Sequence, residues 1–577
     1  MKKGMKMMRY LNFKSEYDKK PVMTITDDQQ GVFNSIDAIV NELKTISQGV
    51  IIFESYPGID LIRLKRDLID PLHPALVVCI EDYAKSEEAI DQMIENNLTD
   101  DRVFGVYSHH TIDDFYLLDR IESVRQLIKN HQGLIVVYGF GASLIQGDIK
   151  IHVSLTRWEI QLRYRRGLSN FRKHNPKEDI LRKYKRGYFI EWRVADRIKD
   201  AFYPILDYVI DYNLLDHPKM VTKDVYDHIL ESLIHRPFRM VPYFDPGVWG
   251  GQWMKEVMHL DPKEKNYAWS FDGVPEENSV MAKCGDTILE LPAQDLVQFR
   301  PRLFMGDRVH GRFGKQFPIR FDFLDTMDGG NLSLQVHPLT EYIYDQFGMT
   351  YTQDESYYIM DAKDDGCVYL GFKEGLNQLS FESDLRKAST GEILFPAEQY
   401  VNILPAKKHD HFLIPAGTIH CSGRNTVVLE ISACVYIFTF KLWDWGRVGL
   451  DGRPRPVHLE HGLKNLQYDR TTSWVKKELV NAIETISDHE EKTGLHEREF
   501  LETRRLTFSD SIEMETYGSV NMANLVSGQS MEIESLDGSF EPYTIHYAET
   551  FIIPATIKRV KLKCLDNECI VIKAHVR

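Results

Sequence analysis

Up to about Pro237 the chain alternates short β-branched apolar runs with amphipathic segments. The runs are GVIIFES (Gly49 to Ser55), ALVVCIED (Ala75 to Asp82), GLIVVYGFG (Gly133 to Gly141), KIHVSLT (Lys150 to Thr156) and YVIDYN (Tyr208 to Asn213). Apolar runs of that length between helical stretches predict buried parallel strands of an α/β layer fold. The amphipathic segment Ser123 to Gln132 predicts a helix packed on them. From about Phe238 the rhythm changes to short strands at close spacing with many Gly and Pro turns: GDTILELPAQ, NLSLQVHP, GCVYLGF, HFLIPAGTIHCSG and TVVLEISACVYIF. This pattern predicts an antiparallel sandwich or barrel. A charged stretch from Lys476 to Arg504 reads as helix-favouring, and a last β-rich block runs from Leu506 to Arg577. The expected division is 1–235, 236–485 and 486–577.

A chain of 577 residues exceeds what one core supports, which agrees with several domains. With 70 Lys+Arg against 85 Asp+Glu the net charge is -15, which argues against general binding to nucleic acid or anionic membranes. No CxxC pair occurs among the seven cysteines, and free thiols of a cytoplasmic protein are expected. The basic start lacks the apolar run of a signal peptide, and nowhere does an apolar run reach the ~20 residues of a membrane span.

Candidate chemistry gathers in the second part. Gln335 and His337 in NLSLQVHP are two apart, so a strand points both to one face. Glu355 follows at the head of another strand, and His420 stands after a Pro-Ala-Gly turn. Two imidazoles, a carboxylate and an amide oxygen suit Zn²⁺, with a position left for water or a substrate oxygen.

The strings LSLQVHP, an E followed by an aromatic pair, IPAGTIH, VLE and DGRPRPVHLE resemble, in this order, the motifs of class I mannose-6-phosphate isomerases, which are zinc-dependent cupins. The resemblance starts at PYFDPGVWGG (Pro242 to Gly251), passes through YAWSFDG and GRFGKQFPIRFDFLD, and ends at about Asn465. A weaker match to the family's small C-terminal cupin covers Leu506 to Arg577. The resemblance implies Gln335, His337, Glu355 and His420 as ligands of one zinc ion per chain, and a double jelly-roll fold. It implies Ser333 with Gln335 for the substrate, Glu430 as an active-site carboxylate, and roles for Arg455 of the PR-x-x-H signature and for Lys441. The implied reaction interconverts mannose 6-phosphate and fructose 6-phosphate through a cis-enediol.

This chain departs from the family where cations are usual. Gln353 stands for a lysine, Lys441 for an arginine, and Asp322 for a lysine before QVHP. Lys315, Arg320, Arg447, Arg453 and Arg455 are the candidates to compensate. The alternative expectation is a sugar or sugar-phosphate sensor without turnover, or an isomerase of another sugar. His546 and Glu549 are the nearby ligand types of the last block, which reads as structural.

The first part faintly resembles a nucleoside-kinase-like P-loop domain, yet Glu54 to Asp60 lacks the G-x-x-x-x-G-K-[ST] lysine and hydroxyl, so the expectation is a degenerate kinase-like unit. Fourteen basic residues between Arg157 and Lys199 face five acidic ones there. They read either as the remnant of a phosphate-gripping lid, with Arg163, Arg165, Arg166 and Arg172 as candidates, or as a solvated face paired with acidic neighbours. GYFIEWRVADR (Gly187 to Arg197) reads equally as an anion pocket or an interdomain contact.

Overall fold

Five of the apolar runs pair in parallel, in the order Leu76–Cys79, Leu134–Gly139, Gly49–Ser55, Ile149–Ser154, Tyr208–Asp211. Two antiparallel strands, Lys219–Thr222 and Val32–Phe33, complete the sheet. The computed structural model describes residues 9–434, 436–448, 454–494, 496–497 and 499–577. Helices Ile36–Leu43, Glu87–Leu98, Leu118–Lys129 and Lys223–Ile234 bury their apolar stripes in the same core.

The turn after the central strand is filled from within. Gly58 takes φ +101°, and a Cβ there would meet Ile160 and Leu155. Asp60 caps the following helix by accepting from the Arg63 N–H at 3.0 Å. Glu54, at the end of the strand, is buried and accepts from the Gly141 and Ser143 N–H groups at 2.9 and 2.6 Å. Burial pushes its pKa up to about 7, against the pull of those two bonds. A carboxyl whose pKa rises on folding binds more protons in the folded than in the unfolded chain between the ordinary carboxylate value and about 7. Its stabilising share is therefore full in acid and lost as pH rises through about 7. Glu54→Gln is expected to flatten the fall of the thermal midpoint between pH 5.5 and 8, read by circular dichroism; an unchanged slope contradicts this.

Two antiparallel sheets form the second part. Six strands run in the order His411–Ile414, Asp354–Ala362, Thr426–Ala433, Arg320–Asp325, Trp269–Gly273, Tyr243–Asp245. Five run Val401–Pro405, Cys367–Phe372, His420–Ser422, Leu334–Val336, Phe440–Trp443. The last block holds a six-stranded sheet beginning at Glu484 and a four-stranded sheet of Ser511–Glu515, Arg559–Cys564, Ser530–Ser535 and Tyr543–His546, which enclose a second core.

One expectation is corrected. Between Lys476 and Arg504 the regular structure is mainly strand among the described residues: the helix Thr472–Glu478 stops early, and Glu484–Ser487, Glu490–Gly494 and Leu501–Phe508 pair as neighbours. Its charges pair across the strands, Arg505 with Glu491 directly opposite and Arg504 diagonally with Glu490, at 2.7 Å each, instead of one helical turn apart. The N-terminal strand Val22–Thr26 does not join the parallel sheet. It pairs in parallel with Ser279–Cys284, Val22 opposite Met281, so the start of the chain is stitched into the second part.

The basic stretch is largely consumed by acids of the chain itself. Buried Arg157 pairs with Asp196 at 2.6 Å and with Glu276, Arg193 reaches Glu276 at 2.7 Å, and Lys199 pairs with Asp295. Arg165 grips Asp245 through two bonds of 2.8 and 2.9 Å. Arg163 donates to the Gly58 and Tyr212 carbonyls, Arg166 pairs with Glu159, and Arg172 lies near the Glu81 carboxyl. Of the two readings of Gly187 to Arg197 the contact prevails: Tyr188 and Phe189 pack on Tyr436 at 4.3 and 4.8 Å between centroids. Arg157→Ala removes one of the two buried guanidiniums that neutralise Asp196 and Glu276, leaving Arg193 to hold both, and is expected to cost ~3–5 kcal/mol. Arg166→Ala, at an exposed pair, is expected to cost under ~1 kcal/mol. Thermal denaturation of both variants checks this, and equal midpoints contradict it.

Candidate metal site and adjoining cavity

Gln335 and His420 are partners across neighbouring strands, so their side chains share a face of the five-stranded sheet. Pro338 restrains the residue before it to an extended backbone and so fixes His337 at the end of its strand. Gly417, at φ +87°, turns the Pro-Ala-Gly loop and donates its N–H to the His337 carbonyl at 3.0 Å. That one turn holds both histidines. Glu355 comes from the six-stranded sheet, so the three groups close on one another between the two sheets.

His337 Nε2 lies 3.1 Å and His420 Nε2 2.8 Å from the same oxygen, Glu355 Oε1. Each imidazole donates its Nδ1–H to a backbone carbonyl, His337 to Phe438 at 2.9 Å and His420 to Thr418 at 2.8 Å. The lone pairs on both Nε2 atoms then face the carboxylate. All three side chains are fully buried, and His337 Nε2 and Glu355 Oε1 make no hydrogen bond. Two bare acceptor atoms at such a distance repel unless a cation or proton lies between them. Ligand atoms held at ~2.0–2.1 Å around a tetrahedral ion stand about 3.3 Å apart, close to the observed spacing. The residues therefore fit a divalent metal, and among the described residues this is the one His/Cys/Asp/Glu cluster with metal-ligand spacing. Gln335 brings its amide to 3.3 Å from His420 Nε2; rotating the amide puts its oxygen toward the same point.

The electrostatics agree. Burial alone would lower the His337 pKa, but Glu355 outweighs it and raises the value. Burial alone would raise that of Glu355, and the two imidazoles hold it well below the ordinary range.

A cavity of about 520 Å³ adjoins this cluster, with Gln335 and Glu430 in its wall. Toward the metal cluster, Glu430 and Asp322 lie opposite each other on paired strands. Gln353 Nε2 lies 3.1 Å from Glu355 Oε2 and 3.4 Å from Glu430 Oε1, and buried Arg320 pairs with Asp322. Burial, then the charges of Glu355 and Asp322, push the Glu430 pKa well above the carboxylate range, and burial raises that of Asp322 to about 6. The wall also holds Ser333, Arg455 and Lys441, the last opposite Gln335 on the paired strand. Buried Asp444 gathers this group, accepting from the Ser333 hydroxyl at 2.9 Å and from Arg447 and Arg455 at 2.7 Å each. Burial and Arg455 lower the Lys441 pKa.

The structure thus sorts the altered positions. Asp322 and Gln353 cluster with Glu430, while Lys441 stays with Ser333 and Arg455. Of the candidate compensating cations, Lys315 pairs with Asp200, Arg320 with Asp322, and Arg447 with Asp444; Arg453 lies outside the described residues. Trp249 lines the cavity edge-on to Trp269 at 4.7 Å, and a Cβ on Gly251 would strike Asp325. In the last block Glu549 is buried on Arg239 and lies 3.4 Å from His546, a structural pair. Sequence reading missed Asp444, although it stands in the TFKLWDW string. It also missed Glu277 and the cavity residues of the first part, Val103, Phe104, Leu181 and Tyr184, for which no local pattern gives a signal.

Residues 35–235 match a family described as a domain of unknown function (DUF8485). Over 338 residues the chain is 23% identical to a mannose-6-phosphate isomerase of Streptococcus mutans, covering 57% of this chain and 94% of that protein. It is 30% identical over 173 residues to a probable mannose-6-phosphate isomerase, GmuF, of Bacillus subtilis, covering 29% of this chain and 51% of that protein. The crystal structure of a mannose 6-phosphate isomerase from Bacillus subtilis superposes with a TM-score of 0.48 at 17% identity, covering 59% of this chain and 99% of that one. The chain is thus similar to mannose-6-phosphate isomerases at low identity over more than half its length. Among the described residues no helix is long and apolar enough to cross a membrane.

Proposed function

We propose that this chain is a zinc-dependent aldose–ketose isomerase interconverting mannose 6-phosphate and fructose 6-phosphate, built on a double jelly-roll cupin of about 236–485 followed by a small structural cupin of 486–577. One observation carries the reading: a buried His337–Glu355–His420 cluster with bare ligand atoms adjoins a cavity whose wall also holds Lys441, Arg455 and Ser333. Gln335, His337, Glu355 and His420 would hold the metal. A divalent cation held by them would supply polarisation of the sugar's carbonyl and hydroxyl oxygens.

The protein groups do the rest. Lys441, Arg455 and the Ser333 hydroxyl take the phosphate and fix the far end of the sugar. Trp249 and Trp269 give its carbon face an apolar wall. Burial and the charges of Glu355 and Asp322 favour the protonated Glu430 carboxyl while a nearby cation favours the ionised one, so it can exchange a proton with the substrate in both directions. Gln353 keeps the Glu430 carboxyl in place. Keeping Lys441 at the anion end, with the lost cations elsewhere, favours the isomerase over a silent sensor. Lys441→Ala removes one charge-assisted contact worth ~1.5–3 kcal/mol, so KM for mannose 6-phosphate is expected to rise about 10- to 150-fold with kcat little changed. Unchanged KM contradicts this placement.

The first part, 1–235, is read as a degenerate kinase-like unit. Its parallel sheet with Gly49–Ser55 at the centre supports this, and the packed Gly58 turn with the Asp60 carboxylate at the helix start supports the loss of phosphate binding. The free cysteines suit a cytoplasmic setting.

A further inference from the structure

The cavity beside the metal cluster is not walled by the second part alone. Val103 and Phe104, in the loop after helix Glu87–Leu98, and Leu181 and Tyr184, on helix Ile180–Arg186, belong to its lining. We infer that the first part is the roof of this cavity, and that Leu181 is its gate residue, setting what size of sugar phosphate reaches Lys441 and Glu430. The inference rests on the isomerase reading for its substrate, while the roof itself stands on geometry.

The roof is fastened at both ends. Phe104 is fully buried, stacked on Phe438 at 5.2 Å and 17°, and set edge-on to Phe440 and His458 at 5.3 and 5.1 Å. Phe438 is the residue whose carbonyl orients His337, so this stack touches the support of the metal cluster itself. Tyr436 donates its hydroxyl to the Val103 carbonyl at 3.1 Å. At the other end Tyr184 donates to Glu277 at 2.9 Å, beside Asp322 in the lining, and packs on Tyr436. Polar and stacked contacts of this kind hold one orientation, where plain apolar burial would allow sliding.

Leu181 differs from these fixed residues. It is 37% exposed and lines the cavity together with exposed Val248 (59%) and Ile437 (37%) of the second part. Three apolar side chains that line one cavity and also reach solvent make its rim. Partly exposed Arg455 lines the same cavity, so this apolar part of the rim acts on a ligand by shape. The first part contributes one of the three, so entry depends on a residue beyond the isomerase-like region.

The test reads access without requiring turnover. Lys441 lines the cavity, has no ion-pair partner among the described residues, and burial lowers its pKa, which favours the nucleophilic free amine. The full-length chain is acylated with N-hydroxysuccinimidyl acetate, and Lys441 modification is followed by peptide mass spectrometry relative to exposed Lys476. Leu181→Trp is expected to slow Lys441 labelling about tenfold, Leu181→Ala to speed it, and Leu118→Trp, at an exposed position of the first part outside the cavity lining, to leave it unchanged. In parallel, Leu181→Trp is expected to lower kcat/KM for mannose 6-phosphate by a similar factor without altering zinc content. Labelling that ignores both Leu181 variants overturns the roof, whatever the activity. Labelling that follows them in proteins that turn over no sugar phosphate keeps the roof and overturns the isomerase reading instead.

Discussion

His337→Ala and His420→Ala are each expected to yield protein with no bound zinc after gel filtration, and with isomerase activity at background. Each substitution deletes one of three charged or imidazole donors and leaves the others buried without a shared cation. A zinc site loses affinity steeply on loss of one imidazole donor, because the remaining ligands cannot offset dehydration of the ion. Glu355→Gln removes the anionic ligand, and with it the charge that raises the His337 pKa, so zinc is expected to bind more weakly without vanishing. Metal analysis of the purified variants reads all three. Stoichiometric zinc in a His337→Ala, His420→Ala double variant contradicts the site.

The second large effect is expected at Glu430. Glu430→Gln keeps the shape of the side chain and an oxygen able to accept from Gln353 Nε2, yet can neither take nor give the proton. A general acid–base group typically contributes 10²–10⁴-fold, so kcat is expected to fall by about that factor while zinc content and KM stay near wild type. This split separates proton transfer from metal binding. If kcat and zinc fell together, Glu430 would be a support of the metal and not the carrier of the proton. Asp322→Asn tests the neighbouring carboxylate: by removing a charge that raises the Glu430 pKa, it is expected to shift the alkaline limb of kcat to lower pH.

The strand pattern of the first part was plain in the sequence because buried parallel strands are continuous apolar runs. Gly49–Ser55 and Tyr208–Asp211 fall inside the runs that predict them. The ligand cluster was legible for a related reason: alternation on a strand ties Gln335 to His337, and the Pro-Ala-Gly turn marks the start of the strand that begins at His420. Charge patterning misled between Lys476 and Arg504, since Glu, Lys and Arg satisfy cross-strand pairs as readily as helical ones. The basic stretch misled in part because the acids that neutralise it, Asp245, Glu276 and Asp295, are 80 or more residues away. Asp444 and the roof residues share this property: their roles come from which surfaces meet, and no spacing within a segment records that.

The central claim is tested most directly by a coupled assay of fructose 6-phosphate formed from mannose 6-phosphate by the full-length chain, run on protein stripped with a chelator and then titrated with Zn²⁺. The account predicts no turnover in the stripped protein and full recovery at one equivalent of zinc per chain. A protein that carries that equivalent of zinc and still forms no fructose 6-phosphate would contradict it.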